Sequence, residues 1–387
     1  MVKSFDSRSP APHGGPSFDG SSAPRLRPGP ETEEPQRPGG PRPGEVKPLE
    51  LEPREDSLEQ AGREVSPLAV ISPYLSMARA DHWFKNAFML LGVAIALFER
   101  PELLTRLDSL HRIVAGVLLA CVIASSNYVL NEYLDAPLDR LHPTKRWRPA
   151  ARGLVKGWAA LLFWGLLGAI GILGGFRLDP AFGSVAFIFW SMACVYNIPP
   201  VRTKDIPYLD VLSESINNPL RLLLGWFALV PDVLPPLSLA ISYWMIGAFF
   251  MAAKRFAEYR QIDDAELAAS YRHSFRHYDD ARLMASMFFY ASVGSVFAGV
   301  FLVRYKLELV LCVPLVAAFL GYYAFLATRD DSPVQAPEKL YREGKVLTGA
   351  ILVVIAFVTL MSIDLPGLYE VFNVQGRSSD QLWRIPR

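Results

Sequence analysis

From about residue 74 to residue 363 the chain is a succession of apolar runs, each of membrane-spanning length. They lie near 83–98, 111–134, 154–175, 180–197, 209–229, 235–256, 283–303, 308–327 and 346–363. This pattern predicts an all-α integral membrane protein of nine transmembrane helices. The first run is short, and Tyr74 to Trp83 complete it or lie along the interface. The loops after the second, fourth, sixth and eighth runs, with the helix ends that flank them, hold about 18 Lys and Arg, against about 6 in the others. That bias places those loops and the N-terminus in the cytoplasm of a bacterial-type membrane, and the C-terminal tail outside.

The average composition, 51% hydrophobic with 20% charged residues, conceals two different polymers. Residues 1–66 are rich in Pro, Gly, Ser, Glu and Arg and nearly empty of large apolar groups. Such a segment buries too little surface to offset its ordering entropy, so it reads as a disordered cytoplasmic tail. It has no h-region of a signal peptide. A helical membrane domain over 67–365 and a tail over 366–387 complete the predicted organisation. The formal net charge of +1 points to no polyanionic partner, and no nucleic-acid role is expected. Cys121, Cys194 and Cys312 lie far apart in apolar stretches and read as small buried hydrophobes.

Asn131, Asp135 and Asp139 close the second run, followed by the cations of His142 to Arg152. Residues four apart on a helix differ by about 40° in direction and about 6 Å in height, so all three face one place. Asn127 and Ser126 continue the stripe inward. Charge inside a bilayer is costly and usually marks a site. Two carboxylates suit Mg²⁺, which keeps waters and shares its shell with substrate phosphates. Lys145, Arg146, Arg148 and Arg152 suit the phosphates. The bland alternative is a helix end whose acids pair with neighbouring cations. Pro137 lies between the acids and removes a backbone donor, which would place Asp139 on a kink or a loop.

Asn131-x-x-x-Asp135-x-x-x-Asp139, followed by Arg148-Pro149 and Gly153, resembles the first aspartate-rich motif of the UbiA superfamily of intramembrane transferases. Arg79-x-Asp81-His82-Trp83-x-Lys85-Asn86 and Tyr196-x-x-Pro199-x-x-Arg202-x-Lys204 fit the same family. The resemblance implies nine helices around a cytoplasm-facing polar cavity. It also implies phosphate-binding roles for Lys85, Asn86, Tyr196, Arg202 and Lys204. The wording His142-Pro143-Thr144-Lys145-Arg146 looks most like the decaprenyl-phosphate phosphoribosyltransferase branch. Members that ionise a prenyl diphosphate usually carry a second DxxxD after the sixth helix. This chain has Lys254, Arg255 and Glu258 there, with Asp263 and Asp264 further on. Such a site clamps an anion but makes a poor second Mg²⁺ cage, since its cations repel the metal. Equally, Lys254 and Arg255 obey the positive-inside bias and snorkel.

The fifth run carries Asp210 and Glu214 on one face, with Asn218 and Arg221 deeper. Asp210, in a first helical turn, suits the macrodipole. The stripe lines the cavity or holds helices together. Arg221-x-x-x-Gly225 also resembles the phosphoribosyltransferase branch. His273 and His277 lie four apart, but no third ligand is near, which argues against zinc.

The resemblance implies an enzyme whose leaving group is pyrophosphate. Transfer of 5-phosphoribose from its 1-diphosphate to a polyprenyl phosphate needs Mg²⁺ on Asp135 and Asp139, and no general base. A prenyltransferase using the same motif is the alternative. A non-enzymatic lipid or phosphate carrier is the reading from another class, against which the one-sided gathering of polar groups argues.

Overall fold

The computed structural model describes residues 67–140, 145–262, 273–335, 340, 342–374, 382 and 385. The tail over 1–66, His142, Asp263 and Asp264 lie outside the described residues. Everything described is helix, 3₁₀ turn or connection, apart from a single bridge residue, Val233. A first helix, α1 (Pro67–Met77), leads through a 3₁₀ segment, Ala80–Phe88, into α2 (Met89–Glu99). Next come α3 (Leu107–Asp139), α4 (Gly157–Leu178) and α5 (Pro180–Asn197). The next pair is α6 (Leu209–Ser215) and α7 (Asn217–Leu229). The long α8 (Leu237–Gln261) and α9 (Asp280–Tyr305) follow. A 3₁₀ turn, Leu307–Cys312, runs into α10 (Val313–Ala327), and α11 (Gly344–Ser362) and α12 (Pro366–Val371) complete the chain.

Seven of these stretches are long and apolar enough to cross a bilayer. They match the expected runs other than the first and the fifth. Those two are interrupted: the first is half 3₁₀, half α, and the fifth breaks at Ile216 between α6 and α7. The chain is therefore an integral membrane protein with seven candidate spans among its described residues. The interruptions put backbone irregularity where polar side chains gather, which lipid tolerates only against protein or a wet cavity.

Local sequence explains the sharp connections. Asp179 caps α5 by accepting from the Ala181 amide at 2.8 Å, with Pro180 at the first helical position. Asp279 caps α9 in the same way from Arg282 at 2.7 Å. Packing then follows two apolar clusters. One joins α2, α3, α5 and α7 around Met89, Phe182, Phe189 and Trp226. The other joins α6, α8, α9 and α10 around Phe249, Phe256, Leu283 and Tyr323. The broken fifth element belongs to both, because α6 packs in the second cluster and α7 in the first. Helices α2 and α7 touch backbone to backbone. A Cβ on Gly225 would stand 2.0 Å from the Met89 carbonyl oxygen, and one on Gly92 1.9 Å from that of Leu222. Small residues permit this approach, as membrane helices commonly require.

Candidate active site

Helix α3 remains α-helical through Pro137 to Asp139, and Arg140 still donates to the Ala136 carbonyl at 3.2 Å. The loop expected as one outcome at Asp139 does not form, so Asp135 and Asp139 lie one turn apart on one face. Asp139 is buried, and its Oδ2 accepts from Arg148 Nη1 at 2.6 Å. Asp135 Oδ1 accepts from Arg202 Nη2 at 3.2 Å and from Lys204 Nζ.

The loop after α5 delivers those two cations. Arg202 holds a left-handed backbone (φ 24), which a non-glycine residue adopts only under restraint. Its Nε grips Asp205 at 2.8 Å and its Nη1 the Asn197 carbonyl at 3.3 Å. Lys204 is buried and also donates to Asn197 Oδ1 at 2.8 Å. Burial holds its ammonium below the ordinary lysine value, against the pull of Asp135.

The remaining expected phosphate binders divide. Arg148 stands at the acids, and Lys145 is partly buried in the 3₁₀ turn Lys145–Trp147. Arg146 is exposed, with its guanidinium 5.0 Å from the Trp147 ring. Lys85 is partly buried. Asn86 is fully buried between Cys121 Sγ, to which it donates at 3.2 Å, and Arg221, from which it accepts at 3.0 Å. Asn131 is partly buried on the stripe. Deeper, Asn127 donates to the Phe189 carbonyl at 3.2 Å, while Ser126 is spent on helix packing, donating to the Trp164 carbonyl at 2.8 Å.

A second polar cluster joins α6 to α8. Arg255, almost wholly buried, directs Nε to Asp210 (3.2 Å), Nη1 to Glu258 (3.0 Å) and Nη2 to Glu214 (2.8 Å). It was expected among the phosphate binders. Its donors are instead committed to three carboxylates, which would repel a phosphate. Lys254 lies 3.8 Å from Glu258 and is more open. Asp210 neither caps its helix by its own side chain nor faces an open space. It is fully buried and accepts from the Tyr278 hydroxyl at 2.7 Å and from Ser274 at 3.3 Å. Burial and the adjacent Asp210 hold the Tyr278 proton in place well above the ordinary tyrosine range. Tyr196 links the two clusters: its ring lies 5.9 Å from Lys204 Nζ, and its hydroxyl donates to Glu214 at 3.0 Å.

Three contributors escape the motif reading. Glu132 is buried and accepts from the Ala150 amide at 3.3 Å, pinning the basic segment to α3. Its spacing of seven from Asp139 puts both on one helical face, a signal present in the sequence. Asn197 orients Lys204, and Tyr278 secures Asp210; neither belongs to a local pattern. His273 and His277 are exposed.

Among the described residues no group of three or more His, Cys, Asp and Glu is placed to hold a metal. Asp135 and Asp139 offer two carboxylates one turn apart. That donor set fits Mg²⁺ completed by water and substrate phosphates, not an all-protein cage. Three cations, Arg148, Arg202 and Lys204, stand on these acids.

The sequence pattern of the UbiA prenyltransferase family matches residues 86–342. A decaprenyl-phosphate phosphoribosyltransferase of Mycolicibacterium smegmatis is 27% identical over 223 residues, which cover 56% of this chain and 66% of that protein. The match to its counterpart from Mycobacterium tuberculosis covers 62% of that protein, so the chain spans under two thirds of these curated relatives. A protoheme IX farnesyltransferase of Albidiferax ferrireducens is 30% identical over 64% of this chain and 81% of its own length. The fold resembles that of a UbiA homologue from Archaeoglobus fulgidus bound to DMAPP and Mg²⁺. The TM-score is 0.56 at 18% identity, covering 75% of this chain and 99% of the other. By this match over most of its membrane region, the chain belongs to the UbiA prenyltransferase family.

Proposed function

We propose that the enzyme transfers 5-phosphoribose from 5-phosphoribosyl 1-diphosphate to a polyprenyl phosphate, at the cytoplasmic side of a nine-span bundle. The observation that carries this reading is the state of the second polar cluster. A prenyl diphosphate commonly ionises between two acidic motifs, yet the acids of α6 and α8 are tied here to one buried guanidinium, Arg255. One carboxylate pair, Asp135 and Asp139, is left to face a diphosphate.

Asp135 and Asp139 would hold Mg²⁺, with Asn131 orienting its water shell. The bound ion supplies Lewis-acid stabilisation of the departing diphosphate. Arg148, Arg202 and Lys204 release the acids and take up the phosphate oxygens, so charge is exchanged, not created. Lys85, Lys145, Arg146 and Lys254 would add further cations for the phosphates. Cleavage of the C1–O bond leaves oxocarbenium character on the ribose, and an oxygen of the lipid phosphate forms the new bond. That nucleophile is already anionic, so no side chain has to remove a proton. The lipid tail lies against apolar helix faces.

A second reading is prenyl transfer from a prenyl diphosphate to an aromatic or other acceptor. The similarity to the farnesyltransferase favours it. A donor screen separates the two: purified protein, Mg²⁺, polyprenyl phosphate or an aromatic acceptor, and labelled ribosyl or prenyl diphosphates supplied separately. Pyrophosphate release and a labelled phosphoribosyl lipid are expected with the ribosyl donor alone. Release with prenyl donors alone would replace this reading by the second.

A further inference from the structure

Three cations are buried among the described residues: Lys204, Arg221 and Arg255. Lys204 is paired with Asp135, and Arg255 with Asp210, Glu214 and Glu258. Arg221 on α7 has no ion pair among the described residues. The ionisable groups that bear on it are Tyr128, Tyr243 and Cys121. Its Nε donates to Asn86 Oδ1 at 3.0 Å and its Nη1 to the Asn217 carbonyl at 3.4 Å. The guanidinium carbon lies 5.1 Å from the centre of the Phe189 ring. Nη2 makes no hydrogen bond among the described residues, so most of the donors remain unspent. A buried cation without a counter-charge is costly in a membrane interior and asks for an anion.

A second observation lies at the same residue, Phe189. Asn127 donates to the Phe189 carbonyl, while its Oδ1 is buried with no partner. A buried acceptor left empty asks for a donor such as a hydroxyl. Asn127, Asn131, Asp135 and Asp139 climb α3 in steps of about 6 Å, so Asn127 lies about 12 Å deeper than Asp135. The stripe thus runs from acids through amides to an open guanidinium.

We infer that Arg221 anchors a phosphate monoester seated deeper in the same site than the diphosphate, with Asn127 accepting from a hydroxyl beside it. As a part of the reaction this rests on the proposed function. Two partners in that reaction carry such a group: the 5-phosphate end of the ribosyl donor and the phosphate of the lipid acceptor.

The test measures binding of ribose 5-phosphate and of farnesyl phosphate to the full-length protein in detergent without Mg²⁺, by calorimetry. Arg221→Met is expected to weaken at least one probe about tenfold or more. Its thermal midpoint is expected not to fall, because an uncompensated buried charge is removed. Loss confined to ribose 5-phosphate assigns the donor end, and loss confined to farnesyl phosphate assigns the lipid. Should Arg221→Met not fold, Arg221→Lys is read instead: it keeps the charge but not the fork, and binds one probe about fivefold or more weakly. Unchanged binding of both probes in a folded variant overturns the inference, as does failure of the wild-type protein to bind either. Neither probe carries a diphosphate and no metal is present. The outcome therefore stands apart from that of the donor screen, which reads release of pyrophosphate with Mg²⁺ present.

Discussion

Arg255→Met should destabilise the fold rather than merely slow the reaction. Its side chain and that of Asp210 are 2% and 0% exposed, so the substitution strands a carboxylate away from water. Breaking a buried pair by removing one partner costs about 3–5 kcal/mol. Here Asp210 keeps the Tyr278 hydroxyl and Ser274, and Glu214, at 33% exposed, recovers solvent. Both features pull the cost to the lower end, about 3 kcal/mol. Arg255→Met combined with Asp210→Asn should regain about 2 kcal/mol, because the stranded charge is gone while an acceptor for Tyr278 remains. Unfolding in mixed detergent–denaturant micelles, run as a double-mutant cycle, reads both numbers. A single variant within about 1 kcal/mol of wild type, or a double variant no more stable than the single, would refute the claim that this guanidinium is a tie between α6 and α8.

Other consequences follow from the same geometry. Asp135→Asn should lower turnover at least about 10²-fold, measured as pyrophosphate release, in a protein that still folds and inserts into the membrane. Removing divalent ions with EDTA should abolish turnover reversibly, and Mg²⁺ should restore it in wild type but not in Asp135→Asn. Gly225→Ala places a Cβ 2.0 Å from the Met89 carbonyl, a backbone clash. It should cost about 1–3 kcal/mol in the same unfolding assay by forcing α2 and α7 apart.

The chain reveals its spans and its acidic stripe readily, since both are local: run length marks a helix, and four-residue spacing marks a face. Asp135 and Asp139 share a face, as that spacing implies. The helix continues through Pro137 as far as Asp139. What local pattern does not contain is the partner across the gap. Arg255 reads as a phosphate clamp in sequence because its neighbours Lys254 and Glu258 are visible there. The acids that occupy its other donors, Asp210 and Glu214, come from a helix about 40 residues away. Asn197 and Tyr278 act through single long-range bonds that no spacing announces. The break at Ile216 is likewise invisible to a hydropathy window, which averages across it.

The central claim is that α3 presents a carboxylate pair to a metal-bound diphosphate. Its most direct test is anomalous scattering from crystals of the protein soaked with Mn²⁺ and 5-phosphoribosyl 1-diphosphate. The account predicts a metal peak within about 2.2 Å of oxygens from Asp135 and Asp139, with Lys204 and Arg202 turned onto the phosphates. A metal peak elsewhere, with Asp139 still on Arg148 and Asp135 still on Lys204, would contradict it.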